Sequence, residues 1–391
     1  MKKTISILGS TGSIGLSTLS IIDKKKFFFK FDLLSANRNY RLICSQIKKY
    51  KPNYFIISNE NIFKKVKIKF KKKKTKILNT FDSKYFGKKT DIVISAIPGI
   101  AGLYPTINMI KFTKKILIAN KESIICGWDL IKKNSQKYKT KIIPIDSEHF
   151  SISKLIENNQ VSEIKKIYLT ASGGPFLNRK YHQLKNVKPQ DALKHPKWKM
   201  GKKISIDSST LMNKILELIE AQKLFKIPNE KLDILVHPES LVHAIVELKN
   251  GLTKFIYHET SMIIPLANAI FDGELEINKF YKNNKNKKNR PNIKNLTFKE
   301  VDKKTFPIYK LKNRVNEHPS TSIIINASNE ILVDQFLQKK IPFLSIYKII
   351  MAILNDKNYK KYAIKKPKNI NQINTIDLWA RVNTLKKLNK L

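Results

Sequence analysis

Three short stretches of this 391-residue chain concentrate side chains capable of chemistry. One is Pro144-Ile145-Asp146-Ser147-Glu148-His149, an acidic pair placed directly after a short apolar run. If that run is a strand, residues at i and i+2 leaving it point the same way, so Asp146 and Glu148 converge on one point. Two carboxylates there suit a hard divalent cation such as Mg²⁺ or Mn²⁺, completed by substrate oxygens. A loop with ordinary exposed acids is the plain alternative. Acids are scarce in this chain, 30 against 76 bases, which makes a tight pair less expected by accident.

The second stretch is a helical pattern from Thr210 to Phe225. Asn213, Lys214 and Glu217 fall at i, i+1 and i+4 and share one face. Asn213 and Lys214 suit a phosphate while Glu217 reaches a metal, although the solvated side of an amphipathic helix has the same look. Asp207-Ser208-Ser209-Thr210 ahead of it reads as a helix cap that also offers hydroxyls and N–H groups to an anion. Upstream, Ala171-Ser172-Gly173-Gly174-Pro175-Phe176 is a hinge-like turn that opens a polar stretch running to Gly201. His195, Trp198 and Met200 sit together in that stretch, which reads as a lid that excludes water from a reactive intermediate.

The third is LGSTGSIGL, residues 8–16, between an apolar run and a helical pattern at Ile14 to Ile22. Its glycines at 9, 12 and 15 allow a backbone to approach a pyrophosphate at a helix N-terminus, with Thr11 and Ser13 adding hydroxyls. Beyond the second predicted strand the chain reads Asn37-Arg38-Asn39, with no acid to grip a ribose 2′-hydroxyl. An arginine there favours a 2′-phosphate, hence NADPH.

The elements that must hold these residues follow from periodicity. Strands are expected at Ile5 to Leu8, Phe31 to Ala36, Tyr54 to Ile57, Ile92 to Ala96, Ile116 to Ala119 and Ile142 to Ile145. Helical patterns such as Leu42 to Tyr50 and Leu103 to Phe112 alternate with them, the rhythm of βα units and a mostly parallel sheet. Further strands are expected at Ile164 to Thr170 and Leu241 to Glu247. Beyond Phe306 the periodicity is helical. The expected organisation is an N-terminal Rossmann-like NADPH domain (1–149) and a central α/β catalytic domain (150–278) with a mobile lid near 173–201. A Lys/Asn-rich linker (279–305) and a C-terminal helical domain (306–391) complete it.

Bulk composition narrows the setting. No apolar run reaches the roughly 18 residues of a membrane span, and the apolar run after Met1-Lys2-Lys3 is too short for a signal peptide. A cytoplasmic protein without a membrane partner is expected. Cys44 and Cys126 lie far apart, which argues against a disulfide framework or a thiolate metal site. The formal charge of +46 is mostly lysine, dispersed along the chain with runs at Lys71 to Lys74 and Lys282 to Lys288. That pattern fits compositional drift with weak, non-specific polyanion binding better than a specific nucleic-acid surface.

LGSTGSIG, ANKES (119–123), IDSEH (145–149), ASGGPF (171–176), HPKWKMGKKISIDSSTLMNK (195–214) and VHPES (236–240), in this order, resemble the 1-deoxy-D-xylulose 5-phosphate reductoisomerase family, as does INASNEILVDQFL (325–337). The resemblance spans effectively the whole chain. It implies an NADPH-dependent oxidoreductase of non-mevalonate isoprenoid biosynthesis. Such an enzyme rearranges 1-deoxy-D-xylulose 5-phosphate to an aldehyde and reduces it to 2-C-methyl-D-erythritol 4-phosphate. It implies one Mg²⁺ or Mn²⁺ per site on Asp146, Glu148 and Glu217, with Lys121 beside the reacting carbons. Ser147, Glu148 and Glu217 would contact the substrate's reacting end. Ser172, Ser208, Asn213 and Lys214 would hold its phosphate, and His195 and Trp198 would close over it. For NADPH the matching positions are Thr11, Gly12, Ser13, Ile14, Asn37, Arg38, Asn39, Asn120, Glu122 and Gly201. The family architecture is a homodimer.

Four departures stand out: Asn37 and Ile215 where glycines are expected, the stretch Tyr257-His258-Glu259-Thr260, and the Lys/Asn segment near 285. Two rival readings make different demands. A reductase resembling aspartate-semialdehyde dehydrogenases shares a GxxGxxG-type loop but needs a nucleophilic cysteine, and neither Cys44 nor Cys126 sits in a convincing site. A nucleic-acid binder would rest on charge alone.

Overall fold

From Ile5 to Leu8 every side chain of the strand Lys3–Leu8 (β1) is fully buried, which requires cover on both faces of the sheet it centres. The strands that follow are Phe29–Ala36 (β2), Tyr54–Ile57 (β3), Lys76–Leu78 (β4), Thr90–Ser95 (β5), Thr113–Ile118 (β6) and Lys141–Pro144 (β7). In this computed structural model, which describes residues 2–82, 85–198, 200–277 and 295–389, they form one sheet in the order β4-β3-β2-β1-β5-β6-β7. Every pairing is parallel. The order reverses at β1, between β2 and β5, and the crevice beyond the carboxyl ends of those strands is where such sheets bind ligands.

This sheet belongs to the first of two compact units, Met1–Ser123 with Trp128–Phe150 and the described part of Ser261–Asn292. The returning helix Ile263–Phe271 buries Leu266, Ala267 and Ile270 completely in the same core as Ile5, Leu19 and Ile22. Lys115 ties its end down, donating to Ala269 O at 2.9 Å and Asp272 Oδ1 at 2.7 Å. Asp32 accepts from Asn53 at 2.7 Å and from Thr90 at 3.0 Å, a structural task at the start of the strands.

The second unit comprises Ile124–Gly127, Ser151–Thr260 and, among the described residues, 295–389. Its sheet takes Ile164–Ala171 (β8), Leu232–Val236 (β9), Val242–Leu248 (β10), Thr253–Tyr257 (β11) and Lys299–Glu300 (β12) in the order β11-β10-β8-β9-β12. Only β8 and β9 run parallel. The helices Thr321–Leu337, Ser345–Leu354, Tyr359–Ala363 and Ile370–Leu388 follow, so the helical periodicity beyond Phe306 is realised. Arg381 fastens two of them, contacting Glu330 and, at 2.5 Å, Asp377. Residues 279–294 of the expected linker lie outside the described residues, whereas β12 just beyond them pairs antiparallel with β9. Cys44 and Cys126 are buried free thiols.

Candidate active site

At the carboxyl end of β1 the chain turns through Gly9 with φ +86°, where a Cβ would stand 2.7 Å from Ala96 O. Ser10 pins the turn, its N–H donating to Ser35 O at 2.8 Å and its hydroxyl to Gln46 Oε1 at 2.6 Å. At Gly15 a Cβ would lie 2.4 Å from Gly9 O, so the turn packs directly on the helix Ser13–Asp23. That helix has Gly12 at its N-cap and no side chain accepting from its first turn. Three other helices of the unit are capped by asparagines: Asn39, Asn59 and Asn120 accept from Leu42, Ile62 and Ser123. The glycine turn at the carboxyl end of β1 therefore leaves oriented N–H groups for an anion.

Of the expected cofactor residues, Gly12, Ser13, Asn37, Arg38 and Asn39 are exposed, and Thr11 and Ile14 half-buried. Asn39 and Asn120 have work inside the fold. Besides capping its helix, Asn120 donates to Ile97 O and, at 2.9 Å, to Gly99 O. Glu122 is buried in the first turn of the helix Lys121–Tyr138. Gly201 belongs to the second unit, at the N-cap of the helix Lys202–Thr210.

The acidic pair is arranged differently from the strand geometry expected of it. β7 ends at Pro144 and a helix, Ser147–Leu155, begins almost at once. Asp146 O accepts the first helical bond from Phe150 at 2.8 Å, and its carboxylate accepts from Glu148 N–H at 3.3 Å. Asp146 is thus the cap and Glu148 a first-turn residue; a helical turn, not strand alternation, sets their spacing. Lys121 Nζ lies 3.6 Å from Asp146 Oδ2, and His149 Nδ1 3.2 Å from Asp146 Oδ1. The Ser147 hydroxyl donates to Glu148 Oε2 at 2.6 Å. His149, fully buried, was missed in sequence; its contact is one helical turn away from the acid it orients, and histidine alone carried no signal.

In the second unit the helix expected from Thr210 to Phe225 forms as Met212–Phe225, but the segment expected to cap it is a separate helix, Lys202–Thr210. Leu211, at φ +69°, breaks the chain between Lys202–Thr210 and Met212–Phe225. Asp207, Ser208, Ser209 and Thr210 lie inside the first helix, and of the expected cap only the Thr210 hydroxyl serves, accepting from Met212 N–H at 3.2 Å. Leu211 is buried, so packing holds the unfavourable backbone. Asp207 is also buried, fixed by Lys203 at 2.9 Å and by Asn329 at 2.7 Å. That second partner is 122 residues away, beyond the reach of local pattern.

Beyond the break, Lys214 Nζ donates to Glu217 Oε2 at 2.6 Å and Asn213 Nδ2 donates to Glu217 Oε1. The face predicted for them exists, but it is buried: Glu217 is 1 % exposed. Ile215 points into the core and is fully buried. The Gly173-Gly174 turn lies against the first of these helices, with a Cβ on Gly174 meeting Ser208 O at 3.1 Å. Ser172 Oγ is 3.0 Å from His195 Nε2 and accepts from Gly174 N–H at 3.1 Å. His195 Nδ1 accepts from Trp198 N–H at 2.9 Å, so the neutral ring carries its proton on Nε2 and donates to Ser172. Burial, then the Lys214 charge, pushes the His195 imidazole down to about 4. With both interactions accepted, the Ser172 hydroxyl proton is left to donate outward. A cleft of about 670 Å³ opens beside it, lined by Phe176, Arg179, Lys194 and Lys197 among others.

A parallel sheet with an uncapped glycine turn at its order reversal, and hard oxygen donors beyond the carboxyl end of β7, define a dinucleotide-dependent oxidoreductase of α/β type. The chain belongs to the 1-deoxy-D-xylulose 5-phosphate reductoisomerase family. Residues 5–127 match the family described as 1-deoxy-D-xylulose 5-phosphate reductoisomerase, 142–225 its C-terminal domain, and 259–383 a DXP reductoisomerase C-terminal domain. The enzyme of that name from Pelagibacter ubique (strain HTCC1062) is 45% identical over 383 residues, 96% of this chain and 97% of that one. One from Wolbachia sp. subsp. Drosophila simulans (strain wRi) is 42% identical over 357 residues, covering 90% of each. Among solved structures, the Zymomonas mobilis enzyme in complex with NADPH has a TM-score of 0.86 at 30% identity, covering 100% of each chain. A DOX-P reductoisomerase in complex with NADPH, fosmidomycin and magnesium has 0.89 at 31%, covering 99% of this chain and 98% of that one.

Proposed function

We propose that this chain converts 1-deoxy-D-xylulose 5-phosphate to 2-C-methyl-D-erythritol 4-phosphate, with NADPH and one Mg²⁺ or Mn²⁺, as a step of non-mevalonate isoprenoid precursor synthesis. The observation that carries the reading is the state of Glu217. A carboxylate removed from water, with a lysine and an asparagine on its two oxygens, is costly to keep without a task.

Asp146, Glu148 and Glu217 would hold the cation. When bound, the metal supplies positive charge to the substrate's carbonyl and hydroxyl oxygens, and NADPH supplies the hydride. Lys121, beside Asp146, orients the substrate's reacting end together with Ser147 and Glu148. Ser172 donates to the phosphate from the outward hydroxyl that His195 leaves it, joined by Ser208, Asn213 and Lys214. Residues 173–201, with Trp198, act as the lid that excludes water. At the cofactor end, the Gly9–Gly15 turn takes the pyrophosphate and Arg38 the 2′-phosphate; Thr11, Ser13, Ile14, Asn37, Asn39, Asn120, Glu122 and Gly201 complete the contacts.

The first unit carries the nucleotide and the second the phosphate and the helical tail. No described helix is long and apolar enough to cross a membrane. We place the protein in the cytoplasm as a homodimer, which sedimentation at working concentration tests.

The test is direct. Purified protein with Mg²⁺ and NADPH oxidises the cofactor when the ketose phosphate is added, and EDTA abolishes this while NADPH still binds. Glu217→Gln lowers turnover by more than the roughly 100-fold typical of losing an outer partner of a metal site. A variant with parental turnover would refute the assignment.

A further inference from the structure

Tyr257-His258-Glu259-Thr260 departs from the pattern expected of the family, and it builds a feature of its own. Val242 of β10 pairs with Tyr257 of β11, and His258 N–H donates to Leu241 O at 2.9 Å, which seats His258 at the open end of this hairpin. Its Nδ1–H donates to Glu259 O at 2.9 Å, fixing the plane of the ring. That ring stacks on His243, centroids 3.9 Å apart and planes 17° apart. On His243 in turn sits Trp198 of the lid, 6.1 Å away and near edge-on at 74°. His258 is 7% exposed, and its Nε2 has no hydrogen-bond partner among the described residues. Hydrogen bonding through Nε2 therefore does not explain why an imidazole is buried here, whereas its flat face does.

We infer that His258 is a positioning residue for the lid: it holds the His243 ring in the plane on which Trp198 docks above the phosphorylated substrate. The inference rests on the proposed function for its kinetic arm only. On its own stretch Trp198 is held through its backbone N–H, which donates to His195 Nδ1 at 2.9 Å. A T-shaped contact between two aromatic rings contributes about the equivalent of a threefold to tenfold change in affinity. Removing the support under His243 should forfeit that amount from closure and leave the chemical groups in place.

The chain has three tryptophans, so Trp128→Phe with Trp379→Phe leaves Trp198 as the sole indole. In that parent, His258→Ala should shift Trp198 emission to the red without substrate present. It should raise KM for the ketose phosphate about threefold to tenfold, with kcat and NADPH affinity little changed. His258→Phe, which restores a flat ring without a hydrogen-bonding nitrogen, should return both readouts to parental values. Parental emission and KM in His258→Ala would overturn the inference. So would a His258→Phe variant that melts like the parent yet keeps the red-shifted emission. If His258→Ala does not fold, His258→Leu against His258→Phe makes the same comparison of a bulky side chain with and without a stacking face. Failure of the parent to turn over the substrate would instead refute the proposed function, and the emission arm would still decide the role of His258.

Discussion

Lys214 Nζ lies 2.6 Å from Glu217 Oε2, three residues along the same helix, with the two side chains 9% and 1% exposed. At that burial neither charge has water to fall back on, so each depends on the other. The pair also fixes the orientation of the Glu217 carboxylate.

Lys214→Met should therefore destabilise the metal-free protein by about 3–5 kcal/mol, the usual effect of removing one partner of a buried ion pair. Thermal melts with and without Mg²⁺ check this, with the metal recovering part of the loss. An unchanged melting curve would mean that the pair contributes nothing to stability, contrary to its burial.

Arg38 is exposed two residues beyond β2, next to Asn39, whose side chain caps the following helix. Arg38→Ala should weaken NADPH binding about tenfold, the worth of a charged hydrogen bond, and leave NADH binding unaltered. Equal losses for both cofactors, measured by fluorescence titration, would remove the 2′-phosphate from Arg38.

His195 predicts a pH dependence with a definite sign. Its folded-state value of about 4 lies below the ordinary 6.5, so the unfolded chain binds the extra proton between them. The stabilisation of the neutral ring is complete above pH 6.5 and is lost as pH falls toward about 4. Denaturant unfolding across this window should show a steeper fall for the parent than for His195→Gln. Parallel curves would place the imidazole in a more solvated setting.

Two glycines of the cofactor turn should behave differently. At Gly15 a Cβ would lie 2.4 Å from Gly9 O and 2.6 Å from Ser10 Cα, whereas at Gly12 the nearest atom is 3.4 Å away. Gly15→Ala should cost about 1–3 kcal/mol in overpacking and weaken NADPH binding. Gly12→Ala should melt like the parent. A stable Gly15→Ala protein with normal NADPH affinity would show that the turn relaxes more readily than its packing implies.

Much of this was legible before any coordinates. Tyr54–Ile57 forms as expected, because a short β-branched run bounded by turn residues admits few alternatives. β4, three residues beside a lysine run, was missed because neither its length nor its composition separates it from a loop. β9, Leu232–Val236, was missed as well, since its partner in sequence-distant β8 confers strand character that the segment lacks alone, and β11, the short half-exposed return of the hairpin with β10, was also missed. The break at Leu211 was invisible for a related reason: a buried leucine with positive φ is stable only because the surrounding core holds it.

By itself the sequence determined the residue types and their local spacing, and with them the parallel sheet, the glycine turn, the choice of NADPH and the acids suited to a hard cation. Those properties depend on covalent order, side-chain chemistry and short-range periodicity. The tertiary structure decided which groups share a charge or a ring face. Asn329 reaches Asp207, the helix Ile263–Phe271 returns to the first unit, and His258 lies flat against His243. Such contacts are set by burial and by packing between distant segments, which no local pattern encodes.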